Sequence, residues 1–247
     1  MPLKFGRLAP REHPNTLKFS DYIKHNAALP VPPSKAYWEY INDWKMLKND
    51  ELGDCVFAAY GHMIMNWTKH EGDEYIPTDD QIVQAYSDVT GYIPGDESTD
   101  NGAAMTDGYA YWKKTGVANH KIDGWVAIDW KNQEHVKLGI YLFGGVNPGI
   151  NCPQSALDQF HAEMSWEVVD GSPIAGGHSI PVFGYGSEGC TCVTWGRRQP
   201  MSWAFFQHYT EECYSAVSLD WLDKQGIAPN HVNLDALRAD LLALKFA

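Results

Sequence analysis

Apolar residues change their spacing midway along this chain, and the change separates two kinds of structure. The polar, Gly-containing turn Asn49-Asp50-Glu51-Leu52-Gly53-Asp54 gives way abruptly to Cys55 and the apolar run Val56-Phe57-Ala58-Ala59-Tyr60. This pattern predicts a buried helix over 55–70. Thr78-Asp79-Asp80-Gln81 places a hydroxyl three residues ahead of a glutamine, with acids between them. Such a start caps a helix that should run to about 89. A Gly/Asp/Ser/Thr-rich loop fills 91–103, and a further helix spans about 105–115 before Gly116 stops it. Beyond it Trp125-Val126-Ala127-Ile128 predicts a strand, and 133–142 a short helix ahead of Gly144-Gly145. Strands are expected at 146–150, 165–169, 179–185, 191–195 and 214–218. Helices first and strands later make an α+β domain of two segregated lobes, with a cleft between them.

The flanks read differently. Residues 1–35 are rich in proline and basic residues, and Leu29-Pro30-Val31-Pro32-Pro33 cannot continue a helix. They predict an extended strap. Past residue 220, Asn233-Leu234-Asp235 caps an amphipathic helix over 236–244 that packs outside the domain or serves self-association. The expected division is therefore 1–35 strap, 36–219 domain and 220–247 helical extension. Within the domain the helical lobe covers about 50–124 and the β lobe about 125–219.

Composition narrows the function classes. The 247 residues are 44% hydrophobic and include ten Trp, thirteen Tyr and nine Phe, enough for a two-lobed core. A formal net charge of −12 argues against nucleic acid or an anionic membrane as a partner. No apolar stretch approaches the ~20 residues that span a bilayer. Met1-Pro2-Leu3-Lys4-Phe5-Gly6-Arg7 lacks the apolar core of a signal peptide. Five cysteines leave at least one unpaired. Cys190 and Cys192 flank Thr191 and would point to one face of a strand, poor geometry for bridging each other. No Cys-x-x-Cys pair or nearby histidine completes a zinc pattern, so neither metal nor cofactor is expected.

One thiol has chemical context. Cys55 stands at a predicted helix start, where free N–H groups and the helix dipole favour thiolate, toward a pKa of roughly 3.5–7.5. Far downstream, Gly176-Gly177-His178-Ser179-Ile180-Pro181-Val182-Phe183 opens an apolar strand with a histidine. A cysteine at a helix start and a histidine on a distant strand are the halves of a thiolate–imidazolium nucleophile.

The surrounding residues resemble the papain-like cysteine peptidases over roughly 36–217. Gly53-Asp54-Cys55-Val56-Phe57-Ala58 resembles the nucleophile segment, and Asp100-Asn101-Gly102-Ala103 the Asn-Gly-Gly turn. Gly144-Gly145-Val146 is similar to the Gly-Pro-Val that opens a barrel strand. Gly177-His178 through Gly184-Tyr185-Gly186 resembles the histidine strand, and Trp195-Gly196 the Trp-Gly after the third catalytic residue. The resemblance implies a two-lobe fold with a barrel-like β lobe, and hydrolysis of a peptide or related amide through a Cys55 acyl-enzyme with His178 as acid and base. It implies Asn101, Gly102, Gly177 and Trp195 in substrate binding, with Trp195 covering the His178 ring.

Two positions depart from that pattern. Asn49 stands where the family has its oxyanion glutamine, and carries the same amide on a shorter side chain. The residue that orients His178 falls on Thr194 by gap-free count, or on Val193 by alignment on Trp195-Gly196. Only the threonine can hydrogen-bond an imidazole. The alternatives to a hydrolase are an acyl transferase using the same pair and an inactive papain-fold binding or structural module. The helical-lobe disulfides usual in secreted relatives have no cysteines here besides Cys55, which favours a cytoplasmic or virion-associated protein.

Overall fold

The structure, a computed structural model, describes residues 3–23 and 31–221. Of the extension expected over 220–247, the part past 221, with its helix over 236–244, lies outside the described residues.

Burial organises the first lobe. Helix α2 (Cys55–Glu71) is buried on every face from Cys55 to Thr68, as an axial core helix must be. Helix α3 (Asp79–Thr90) starts with the expected capping box, in which Thr78 and Gln81 bond each other's backbone reciprocally. Helix α4 (Met105–Lys114) completes the layer. Tyr60 stacks on Trp112 at 4.5 Å, and Trp67 on Trp112 at 5.6 Å, so aromatic faces join the helices.

The second lobe is two open sheets and not a closed barrel. Strands β1 (Leu17–Lys18), β3 (Gly124–Ala127), β9 (Thr210–Val217), β4 (Asn147–Pro153) and β5 (Ile174–Ser179) form one, in that spatial order. Strands β2 (Lys35–Ala36), β6 (Val182–Tyr185), β7 (Gly189–Thr194) and β8 (Arg197–Ser202) form the other. Among the paired strands of the described residues, only β1 and β3 run parallel. Helix α1 (Phe19–Ile23) follows β1, α5 (Gln133–Phe143) precedes β4, α6 (Gln154–His161) follows β4, and α7 (Trp203–Tyr209) precedes β9. The strap thus supplies an edge strand to each sheet, β1 to one and β2 to the other.

Two expected strands need correction, and one strand had no expectation. The strand expected over 179–185 is broken at Ile180-Pro181, where proline removes a ladder donor and the chain passes from one sheet to the other. Residues 165–169 form no strand. Trp166 alone bridges Met201, and the Glu167 N–H is taken by the Gln159 side chain of α6. Strand β8 went unread because Arg197-Arg198-Gln199-Pro200 has little apolar character, although Gln199 and Met201 point inward.

Candidate active site

The site is built where α2 abuts β5. Cys55 is the first residue of α2, and backbone N–H groups of Ser179 on β5 and Gly6 of the strap lie close enough to bear on its thiol. His178, the neighbour of Ser179, is fully buried. Its Nε2 lies 2.7 Å from the Thr194 hydroxyl on β7, whereas Nδ1 is buried without a partner. Of the two residues the sequence offered, Thr194 is therefore the one against the imidazole. The β7–β8 hairpin turns on Trp195 and Gly196, both with positive φ (45° and 74°), as a two-residue turn between twisted strands requires. That turn lays the Trp195 indole flat on His178, with centroids 4.4 Å apart and planes 13° from parallel.

The residues expected to bind substrate divide. Gly102, Gly177 and Trp195 converge on the cleft. Asn101 does not: its side chain is exposed and turns back to the Ser98 carbonyl. Gly102 is fixed by Tyr86, whose hydroxyl accepts the Gly102 N–H at 2.9 Å and donates to Asp100 at 2.6 Å. Asp100 in turn accepts the Gly53 N–H, tying this loop to the nucleophile turn. The Asn49 amide donates to the Leu52 carbonyl and to Asp54 Oδ1, both at 3.3 Å, so it braces its own turn in this state.

The cleft is filled by the chain's own strap, which was not foreseen. Gly6 and Arg7 donate to the Gly177 carbonyl, Ala103 donates to Gly6 at 2.7 Å, and Leu8 donates to Ala103 at 3.0 Å. Phe5 sets its ring edge against His178 and against Trp195, and Trp195 Nε1 donates to the Lys4 carbonyl. Arg7 enters a pocket floored by Gly149, where its guanidinium meets Glu211 at 2.7 Å and Glu212 at 3.0 Å. A faint trace existed in the sequence: a basic, Gly-containing stretch, Lys4-Phe5-Gly6-Arg7, upstream of an acid pair, Glu211-Glu212.

Electrostatics follow from this cover. Burial pushes the Cys55 thiol up to about 12, against the lowering effect of the Ser179 and Gly6 backbone N–H groups. Burial brings His178 down to about 3, helped by the charge of Arg7. The acidic thiol expected from the helix start is thus absent with the strap in place, because desolvation outweighs the dipole. Here the pair is neutral. Asp54 is buried beside them, and its carboxyl is raised well above the usual range by desolvation.

No protein-family profile and none of the curated proteins matches this sequence. Solved structures do. Xylellain, a cysteine protease from Xylella fastidiosa, superposes with a TM-score of 0.65 at 13% identity, covering 88% of this chain and 98% of its own. Digestive procathepsin L2 from Tenebrio molitor larval midgut gives 0.61 at 13% identity, covering 87% and 78%. The bromelain protease of Ananas comosus, in complex with the E64 inhibitor, gives 0.55 at 12% identity, covering 76% and 100%. Likeness of this extent, on an α2 helix that begins with a cysteine and faces a histidine strand across two lobes, gives this chain the fold of the papain-like cysteine proteases.

Proposed function

We propose that this chain is a thiol peptidase of the papain kind, with Cys55 as nucleophile, His178 as acid and base, and Thr194 holding the imidazole. The observation that carries the proposal is the Thr194–His178 contact beneath Trp195. It occupies Nε2 and leaves Nδ1, the other ring nitrogen, for the nucleophile. In the reaction the Cys55 proton passes to His178 Nδ1 as Sγ bonds the substrate carbonyl carbon. The proton then goes to the departing amine as the C–N bond breaks. Water, deprotonated by the same nitrogen, releases the acid and restores the thiol. The Cys55 N–H supplies one oxyanion donor, and Asn49 supplies a second after turning from Leu52 and Asp54.

The occupied cleft favours a second reading, an inactive module that keeps the fold, and one experiment separates the two. A β-carbon on Gly6 would stand 2.6 Å from Gly53 Cα, so Gly6→Val must lift the strap at this point. A peptidase then yields a Cys55 labelled by an epoxysuccinyl probe, with labelling abolished by His178→Ala. Unchanged labelling of Gly6→Val with and without His178 would mean that the pair is residual.

A further inference from the structure

Arg7 is bound in this cleft as a ligand is bound. Its guanidinium uses both terminal nitrogens on separate carboxylates. Nη1 donates to Glu212 and to the Leu8 carbonyl at 3.2 Å; Nη2 donates to Glu211, to Asn151 Oδ1 at 3.0 Å and to the Ile150 carbonyl at 3.3 Å. The pocket is shaped for that side chain. Gly149 stands opposite Glu212 in the β4–β9 ladder, and a β-carbon there would lie 2.8 Å from Met105 Sδ and 2.9 Å from Glu212 Cγ, as well as against Arg7 Cδ. A bulge after Gly149 offsets β4, and Tyr214 fixes the second Glu212 oxygen at 3.0 Å.

Two facts argue that this is more than a staple for the strap. Arg7 follows Gly6, which packs on Gly53 two residues before Cys55 and whose N–H bonds the Gly177 carbonyl beside His178, so the acid pocket adjoins the place where a bound chain meets the nucleophile. Glu212 is also a buried carboxylate whose charge is balanced by Arg7 alone among the ion pairs of the described residues. When the strap leaves, a substrate that exposes the nucleophile strands that carboxylate unless it brings its own cation. A planar, two-nitrogen fork answers the divergent carboxylates better than a point charge does.

We propose that Glu212, with Glu211 and Asn151, forms a recognition site for an arginine side chain of the peptide substrate, a site that the strap's Arg7 occupies in this structure. Displacing the strap and admitting an arginyl peptide are then one exchange, guanidinium for guanidinium. The site rests on the peptidase reading for its substrate, but its ligand chemistry stands apart from hydrolysis.

The test uses full-length Arg7→Ala and two neutral-ended probes, acetyl-arginine amide and its uncharged isostere acetyl-citrulline amide. Calorimetry should show the arginine probe binding Arg7→Ala at least about tenfold more tightly than the citrulline probe. Arg7→Ala/Glu212→Gln should erase the difference, and the wild-type chain should bind neither. Arg7→Gln, which keeps hydrogen-bond donors on the strap but no cation in the pocket, carries the same comparison if Arg7→Ala does not fold. Equal affinity for the two probes, or no binding of either, overturns the arginine site. Hydrolysis is read separately, with peptide amides carrying arginine or citrulline at each position flanking the bond. Arginine selectivity in kcat/KM at one position, lost with Glu212→Gln, supports the site. Hydrolysis without selectivity overturns it and leaves the peptidase standing. Arginine binding with no cleavage of any peptide overturns the peptidase and leaves the site.

Discussion

At the residue scale, the site turns on how two side chains are partnered. Thr194 can serve His178 either as acceptor or as donor, so Thr194→Val leaves Nε2 buried with nothing to bond. In the Gly6→Val background we expect kcat to fall by about tenfold or more, with Thr194→Ser restoring most of it. Steady-state kinetics check this; an unchanged kcat with the fold intact removes Thr194 from the site. Cys55 is governed by cover more than by position. Its thiol is raised to about 12 by burial, so iodoacetamide should react slowly from pH 6 to 8 in the wild-type chain. Gly6→Val should raise that rate by at least about tenfold, the ratio that ~1.4 kcal/mol of lost strap binding produces. Mass spectrometry of the alkylated peptide reads the difference. Equal rates would mean that the strap does not gate the thiol. Cysteine, histidine and threonine were legible in the sequence because each sits beside a punctuated motif. Glu212 was not, because an acid in a strand reads as solvent-facing until its ladder partner, Gly149, is known.

At the element scale, the local signals that specify geometry through backbone chemistry were the readable ones. The capping box at Thr78 and Gln81 was visible because both partners lie within one turn. Thr78→Ala should cost about 1 kcal/mol in chemical denaturation without touching the site. The Trp195-Gly196 turn has a different consequence. Gly196 sits at φ 74°, where a β-branched residue is strained. Gly196→Val should cost roughly 1–3 kcal/mol and shift Trp195 from the His178 ring, so near-ultraviolet dichroism should change together with stability. Loss of stability with the dichroism untouched would separate the turn from the stacking. Strand β8 and the non-strand at 165–169 escaped for one shared reason. No apolar alternation records either: β8 pairs locally with β7 across the Trp195-Gly196 turn through a polar sequence, while Trp166 bridges Met201 and the Glu167 N–H goes to the Gln159 side chain.

At the scale of the whole molecule, burial of two histidines couples stability to acid. His178 is lowered to about 3 and His62 to about 4, chiefly by desolvation, against an ordinary value near 6.5. Below pH 6.5 the unfolded chain binds two protons that the folded chain refuses, so stability falls as pH falls toward 4. Near pH 5 the two rings contribute about 2.7 kcal/mol per pH unit to this loss, the raised Asp54 and Glu212 carboxyls oppose it, and His178→Gln should lower the net slope by about 1.4 kcal/mol per unit. Urea midpoints from pH 4.5 to 7.5 test this, and a slope unchanged by His178→Gln would show that ring hydrated in the folded state. No helix among the described residues is long and apolar enough to cross a membrane. By itself the sequence determined the order of lobes, the helix that starts at Cys55, the strand that carries His178 and the acidic balance. Each of these is written in local spacing, capping or composition. Tertiary structure alone decided that Thr194 and not Val193 meets the imidazole, that residues 3–8 lie across the cleft, and that Arg7 faces Glu212 from 205 positions away. Such contacts depend on how two sheets and a strap are folded over one another, and a side chain's own neighbours in sequence hold no record of that.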